Sequence, residues 1–316
     1  MRKIALLAVG VLAALAVTAG PAAGGSGFAQ GAAACRAIQV DGSEVFDGLR
    51  SLLVAGSASR GTGSLAGREP TLNEKLESLP ASAKGKGGKG FRATVPVWFH
   101  VISDGTTGNV TAKQIDAQIR VLNLGFSGFY GGAKSGFTFE LAGVTRTDNS
   151  TWYNARAGGD AERDMKSALH RGGFETLNVY SNLAGGYLGY AYLPGLPDSR
   201  MYIDGIVLNW ESMPGTSTAF AGRYDLGLTL VHEAGHWVNL EHTFAGGCNA
   251  KGDFVDDTPA MLVPTNGCPI GKDTCPEPGL DPIHNYMDYS YDSCYTEFTA
   301  GQVARAQDSW VYFRAP

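Results

Sequence analysis

The sequence lacks a late membrane-spanning run. Past its first residues, no segment reaches the about 18 consecutive apolar residues that a bilayer-crossing helix needs. It also lacks a basic face: residues 91–316 carry 15 Lys/Arg against 24 Asp/Glu, a net of −9, which argues against a nucleic-acid partner. Internal repeats are absent, and residues 91–316 amount to one domain of ordinary size. Cysteine is scarce, with five in the chain and no CxxC pair to mark a structural zinc site. Four of the five cluster late, at Cys248, Cys268, Cys275 and Cys294. An even cluster in an exported chain implies two disulfides, and sequence physics does not choose among their three pairings. Cys35 is left over.

What is present begins with an export signal. Arg2 and Lys3 precede an uncharged run from Ile4 to Val17, followed by small residues. Residues 1–29 are assigned to this signal, so the chain is expected to be secreted and released without stable membrane insertion. Residues 30–90 are poor in aromatics and rich in Gly, Ala and Ser, with one helix expected over Ser43–Leu53. They end in Lys84-Gly85-Lys86-Gly87-Gly88-Lys89-Gly90, which reads as a flexible basic linker. From Phe91 the texture changes. Strands are expected over 94–102, 137–141, 176–180 and 205–208. Helices are expected over Thr111–Leu124, with Thr111 as cap, over Asp160–Arg171, over Leu226–Leu240 and over Ala300–Trp310. His100, inside the first strand, reads as a packed core histidine.

Three of the six histidines fall in His232-Glu233-Ala234-Gly235-His236-Trp237-Val238-Asn239-Leu240-Glu241-His242. On a helix, residues i and i+4 share a face, so His232 and His236 can point at one zinc ion. Glu233 adjoins the first ligand, where a carboxylate can take a proton from a water activated by the metal. If the helix stops near Asn239 and the chain turns back, His242 closes a three-histidine site with one position open. Three protein ligands and an open position mark a catalytic zinc rather than a structural one. The long form of this motif has glycine where this chain has Asn239, because the chain must leave the helix through a left-handed conformation. Asparagine is the most tolerant replacement for that conformation.

Further along, His284-Asn285-Tyr286-Met287-Asp288-Tyr289 has the form of a Met-turn, a tight loop whose methionine packs beneath the metal. With Asp253-Phe254-Val255-Asp256-Asp257-Thr258-Pro259, Gly267-Cys268-Pro269, Asp292-Ser293-Cys294 and Phe298-Thr299-Ala300-Gly301-Gln302, the chain resembles the pappalysin family of metzincin metalloproteases, in its small secreted, cytophagalysin-like branch. The likeness spans about residues 95–310.

The resemblance implies an α+β metzincin-type catalytic domain over residues 91–316. Its upper half would hold a mixed twisted sheet, a backing helix and the active-site helix. The lower half would be loop-rich and disulfide-stapled, with a C-terminal helix. It implies a secreted zinc endopeptidase made as a zymogen and acting on protein or peptide substrates; the oligomeric state is left open, with a monomer favoured. His232, His236 and His242 would hold one Zn²⁺, Glu233 would be the general base, and Tyr289 would hydrogen-bond the oxyanion, or else simply pack under the site. The pairing would be Cys248–Cys275 and Cys268–Cys294. A structural Ca²⁺ would be held by the side chains of Asp253 and Thr258 and the Val255 carbonyl, with a solvated acidic turn as the other reading. Asp288 and Asp292 are candidates for lining the pocket of the residue after the scissile bond and favouring Arg or Lys there. Cys35, in the 30–90 prosegment, is a candidate thiolate ligand that keeps the zinc silent; a lipidated or a stray thiol is the alternative. A non-catalytic binding protein on the same scaffold is the competing reading, and the presence of Glu233 with all three ligands separates the two.

Overall fold

The strand β1 (Ala93–Ser103) sets the layering, because alternate side chains must point to opposite faces. Val95, Val97, Phe99 and Val101 face one core, while Ile102 faces a second. In the computed structural model, which describes residue 79 and residues 84–249 and 252–316, β1 lies within a five-stranded sheet of order β2-β1-β3-β5-β4. The other strands are β2 (Phe137–Asp148), β3 (Leu177–Asn182), β4 (Gly189–Ala191) and β5 (Ile206–Asn209). All neighbours pair in parallel except β4, which runs antiparallel to β5 at one edge. The export signal, the Ser43–Leu53 helix, Cys35 and nearly all of the 30–90 segment lie outside the described residues.

Parallel strands covered on both faces read as continuously buried, and every residue of β3 and β5 is buried. One face is covered by helix α1 (Ala112–Phe126) and helix α4 (Leu228–Trp237). Thr111 and Gln114 form a capping box at the start of α1, satisfying two otherwise orphaned donors. The two helices pack tightly: a Cβ on Gly125 would sit 2.7 Å from Val231 Cγ1. The opposite face is covered by the short helix α2 (Ser150–Tyr153) and by α3 (Asp160–Leu169), whose Met165 joins Tyr180 and Val207. The C-terminal helix α5 (Ala300–Phe313) closes the first core through Val303, Ala306 and Trp310.

The molecule therefore has the α+β architecture expected of the sequence, with differences at element ends. β2 runs to Asp148 rather than stopping at Leu141, because its outer half pairs with β1 while alternating toward solvent as an edge strand. Strand β4 and helix α2 have no counterpart in the sequence reading. Helix α4 is shorter than residues 226–240: Gly227 opens it at φ +86°, and a left-handed turn closes it after Trp237. Beyond α4 the chain is mostly loop up to α5, stapled by Cys248–Cys275 and Cys268–Cys294 with Cα separations of 5.5 and 5.6 Å. The Gly/Lys run is seated against α5, where the N–H groups of Gly85 and Gly87 donate to Asp308 at 2.8 and 2.9 Å.

Candidate active site

All ten residues of α4 are buried, so its polar side chains need partners inside the protein. His232 donates from Nδ1 to the Tyr286 carbonyl at 2.6 Å, and His236 donates from Nδ1 to the Leu240 carbonyl at 2.7 Å. A carbonyl can only accept, so both protons sit on Nδ1 and both Nε2 lone pairs are bare. Burial pushes His232 down to about 3 and His236 down to about 4, which keeps both rings neutral near pH 7.

The chain returns to the metal side through the turn after Trp237. The Leu240 N–H reaches the Gly235 carbonyl at 2.9 Å and the Asn239 N–H reaches the His236 carbonyl at 2.8 Å. That pair of bonds is a Schellman closure, and it places Asn239 in the left-handed region at φ +79°. His242 then comes back over the helix. Its Nε2 lies 3.0 Å from that of His236 and 3.3 Å from that of His232, and the remaining pair is 3.1 Å apart. A tetrahedral ion with bonds of about 2.0–2.1 Å holds its ligand nitrogens about 3.3–3.4 Å apart, so this donor set fits zinc. Without a cation, the bare lone pairs of His232 and His236, 3.1 Å apart, would repel.

The floor of the site is the turn around Met287. A Cβ on Gly235 would sit 2.4 Å from Met287 Sδ, so the bare glycine lets the methionine lie directly under the helix. Asn285 Oδ1 accepts from the Met287 N–H at 2.9 Å and from Gln302 Nε2 at 3.0 Å, tying the turn to α5. The Tyr289 ring packs 4.8 Å from the His242 ring and 5.8 Å from that of His232.

Glu233 is buried, and its Oε2 has no hydrogen-bond partner among the described residues. Desolvation pushes its carboxyl up to about 8, a shift that a nearby cation would oppose. Gly189 of β4 makes room for it: a Cβ there would come within 3.0–3.1 Å of the Glu233 side chain. Beside Glu233 a small cavity is lined by Leu188, Tyr224, Thr229, His232, Asp292 and Tyr295. Asp292 Oδ2 accepts from the N–H groups of Leu226 and Leu228 at 2.8 and 3.4 Å, while its Oδ1 is buried and has no hydrogen-bond partner among the described residues. Asp288 is not among the lining residues; its Oδ1 accepts from the Thr265 N–H at 3.0 Å, and its carbonyl accepts from the Tyr295 hydroxyl.

A second group of carboxylates lies in the loop after His242. Asp253 is buried, accepts from the Val255 N–H at 3.1 Å through Oδ1, and leaves Oδ2 without a hydrogen-bond partner among the described residues. Burial pushes Asp253 up to about 7, with the Thr258 hydroxyl beside it opposing the shift. Glu241, adjacent to His242, also buries an Oε1 with no hydrogen-bond partner among the described residues and is pushed up to about 8 by burial, with Asp253 adding to the rise. Unpaired hard oxygens of this kind fit a divalent cation such as Ca²⁺. Sequence reasoning missed Glu241, and it missed Gly189, Tyr224, Thr229 and Tyr295, whose roles depend on tertiary neighbours. A glycine inside a helix at Gly235 was a readable signal of close packing.

Comparison with known proteins follows the same lines. The family model described as pregnancy-associated plasma protein-A matches residues 172–310. The "Extracellular metalloprotease" of Arthroderma benhamiae is 42% identical over 282 residues, covering 86% of this chain and 91% of the relative. That of Pyricularia oryzae is 47% identical over 229 residues, covering 70% and 76% respectively. A Tannerella forsythia promirolysin mutant superposes with a TM-score of 0.64 at 26% identity, covering 78% of this chain and 93% of its own.

Proposed function

The chain belongs to this pappalysin family of metalloproteases, and from that membership and the site's geometry we propose that His232, His236 and His242 hold one catalytic Zn²⁺ with Glu233 as general base. It is a zinc metalloendopeptidase, as the names of its relatives and structural neighbour indicate. The observation that carries the site assignment is the convergence of three Nε2 atoms within 3.0–3.3 Å of one another beside an unpartnered Glu233 Oε2.

When bound, the ion supplies Lewis acidity, lowering the pKa of a water and polarising a substrate carbonyl. Glu233 takes a proton at Oε2 and delivers it to the departing amine, which is general acid–base work in a water-poor site. The Tyr286 and Leu240 carbonyls hold two of the ligand rings in their working tautomer. Tyr289, its ring braced by His242 and by Phe244 at 4.7 Å, is assigned as donor to the carbonyl oxygen as charge develops there. Met287 is assigned as the packing floor beneath the ligands.

The substrates are proteins or peptides. Asp292 is assigned to the pocket for the residue after the scissile bond, where its free Oδ1 would take an Arg or Lys side chain; Asp288 supports that wall through Tyr295. Asp253, Val255 and Thr258 are assigned to a structural Ca²⁺, with Glu241 as a further donor. The relatives are named extracellular, and no helix among the described residues is long and apolar enough to cross a membrane. We assign residues 1–29 to an export signal, 30–90 to a latency segment with Cys35 as its zinc-blocking thiolate, and 91–316 to the protease, working as a monomer. The structural neighbour is a promirolysin, which supports a pro-form here.

The test is hydrolysis of an unfolded protein by the processed chain. One zinc per chain, activity lost to a chelator and restored by zinc is the expected result. One zinc bound with no hydrolysis would instead support a non-catalytic binding protein.

A further inference from the structure

The carbonyls of the ligand turn point two ways. Leu240 turns its carbonyl inward to His236 Nδ1, whereas Asn239 turns its carbonyl outward to Arg305 Nε of α5 at 3.0 Å. Fixing one peptide plane of a two-residue turn constrains the next, and the next carries the carbonyl that aims His236 and leads into His242. Arg305 thus stands one step behind the groups that orient two ligands.

The same guanidinium reaches the acidic loop. It lies 5.7 Å from the ring centroid of Phe254, and Glu241 and Asp253 are its charged neighbours. The loop is pressed onto the first turn of α5 as well. The Gly301 N–H donates to Asp257 Oδ2 at 2.8 Å, and a Cβ on Gly301 would meet Asp257 Oδ1 at 2.4 Å and Val255 Cγ1 at 2.7 Å. Helix α5 is therefore a short rigid strut with the loop at its start and the ligand turn one turn further on.

We propose that Arg305 is a positioning residue that joins the Asp253–Thr258 loop to the turn carrying the second and third zinc ligands, so that order in the loop sets how tightly zinc is held. The proposal rests on the zinc-site assignment above. Groups that orient metal ligands typically change metal affinity about 10–100-fold when removed, and Arg305 acts one bond further out, so about tenfold is expected.

The experiment measures the zinc dissociation constant of the processed enzyme by competition with a chromogenic chelator, together with kcat and KM. Arg305→Gln should weaken zinc about tenfold and lower kcat with KM little changed, and Arg305→Lys, which can still donate to the Asn239 carbonyl, should recover part of the loss. Asp257→Ala, which releases the loop from α5, should weaken zinc in the parent but add nothing in the Arg305→Gln background. Zinc affinity within twofold of the parent in Arg305→Gln, or fully additive effects in the double variant, overturns the proposal. Should Arg305→Gln fail to fold, Arg305→Lys and Asp257→Ala decide it: unchanged zinc affinity in both refutes it. His236→Ala is the control, and tight zinc binding that survives it would overturn the site assignment itself and the proposal with it.

Discussion

Asn239 offers the sharpest test of how the site is built. It occupies the left-handed region at φ +79° at the one position where the extended motif has glycine. The two closing bonds, Leu240 to Gly235 and Asn239 to His236, are made by backbone groups, so the side chain contributes only through what it permits. A left-handed conformation costs an ordinary L-residue about 1–2 kcal/mol, and asparagine rather less. Asn239→Ala should thus lose about 1 kcal/mol, and Asn239→Val should lose more because its branched side chain tolerates the conformation worst. For a domain of this size, 1 kcal/mol moves Tm by about 2–4 °C. Asn239→Gly removes the strain and a buried Nδ2 with no partner among the described residues, but frees the unfolded chain by about 0.5–1 kcal/mol. Its Tm should stay within about 2 °C of the parent or rise slightly. Zinc affinity should follow the same order, Gly at least equal to Asn, then Ala, then Val, because His242 reaches the site only if the turn closes. Thermal melts of the zinc-loaded and zinc-free forms, with chelator competition, read both quantities. An Ala variant as stable and as zinc-avid as the Gly variant would refute the claim that backbone sign at this residue places the third ligand.

Other outcomes follow from single groups. Glu233→Ala should keep zinc and fold while losing about 10²–10⁴ in kcat, and activity within a few-fold of the parent would assign the base elsewhere. Gly235→Ala should lose about 1–3 kcal/mol, since its Cβ would overlap Met287 Sδ; pairing it with Met287→Ala should recover part of the melting temperature, and no recovery would put the clash elsewhere. Calcium should raise Tm in zinc-replete buffer, and more at pH 8 than at pH 5. Asp253 is raised in the folded state to about 7, so its share of stability is present at low pH and lost as pH rises through 7, where a bound cation would replace it; an unchanged Tm with and without calcium would show the loop to be merely solvated, and a pH-independent rise would take Asp253 out of the ligand set. For latency, a chain beginning near residue 30 should be inactive until cut near Lys84–Phe91, and a Cys35→Ala precursor as silent as its parent would move the block to another residue or to bulk alone.

The parts of this molecule that could be read from sequence are those where chemistry dictates residue identity at a fixed spacing. A metal on a helix demands histidines four apart, and a left-handed exit demands glycine or asparagine, so His232, His236 and Asn239 announce themselves whatever the rest of the chain does. The buried strand β5 was legible because burial on both faces leaves a short apolar run, Ile206–Leu208, whereas β3 buries Asn178, Ser181 and Asn182 and showed itself only through Leu177, Val179 and Tyr180. What stayed hidden has no local signature. Strand β4 is three residues long, and its Gly189 matters only because Glu233 of a distant helix lies against it. The outer half of β2 reads as polar because it is an edge, and only its partner β1 makes it a strand. Glu241 looks like an ordinary acidic residue between Leu240 and His242; its significance comes from Asp253 and Arg305, which the chain supplies 12 and 64 residues later. Arg314 makes the same point at the C-terminal end of α4. It donates to the Trp237 carbonyl at 2.8 Å and pairs with Asp204 at 2.7 and 3.1 Å, while its guanidinium lies 3.7 Å from the ring centroid of Trp237. A buried guanidinium that loses its carboxylate leaves an uncompensated charge, so Asp204 and Arg314 stand or fall together. The helix that carries the catalytic motif is thus held at its C-terminal end by two arginines from the last helix and the residue that follows it, an arrangement set by packing rather than by any pattern in the motif.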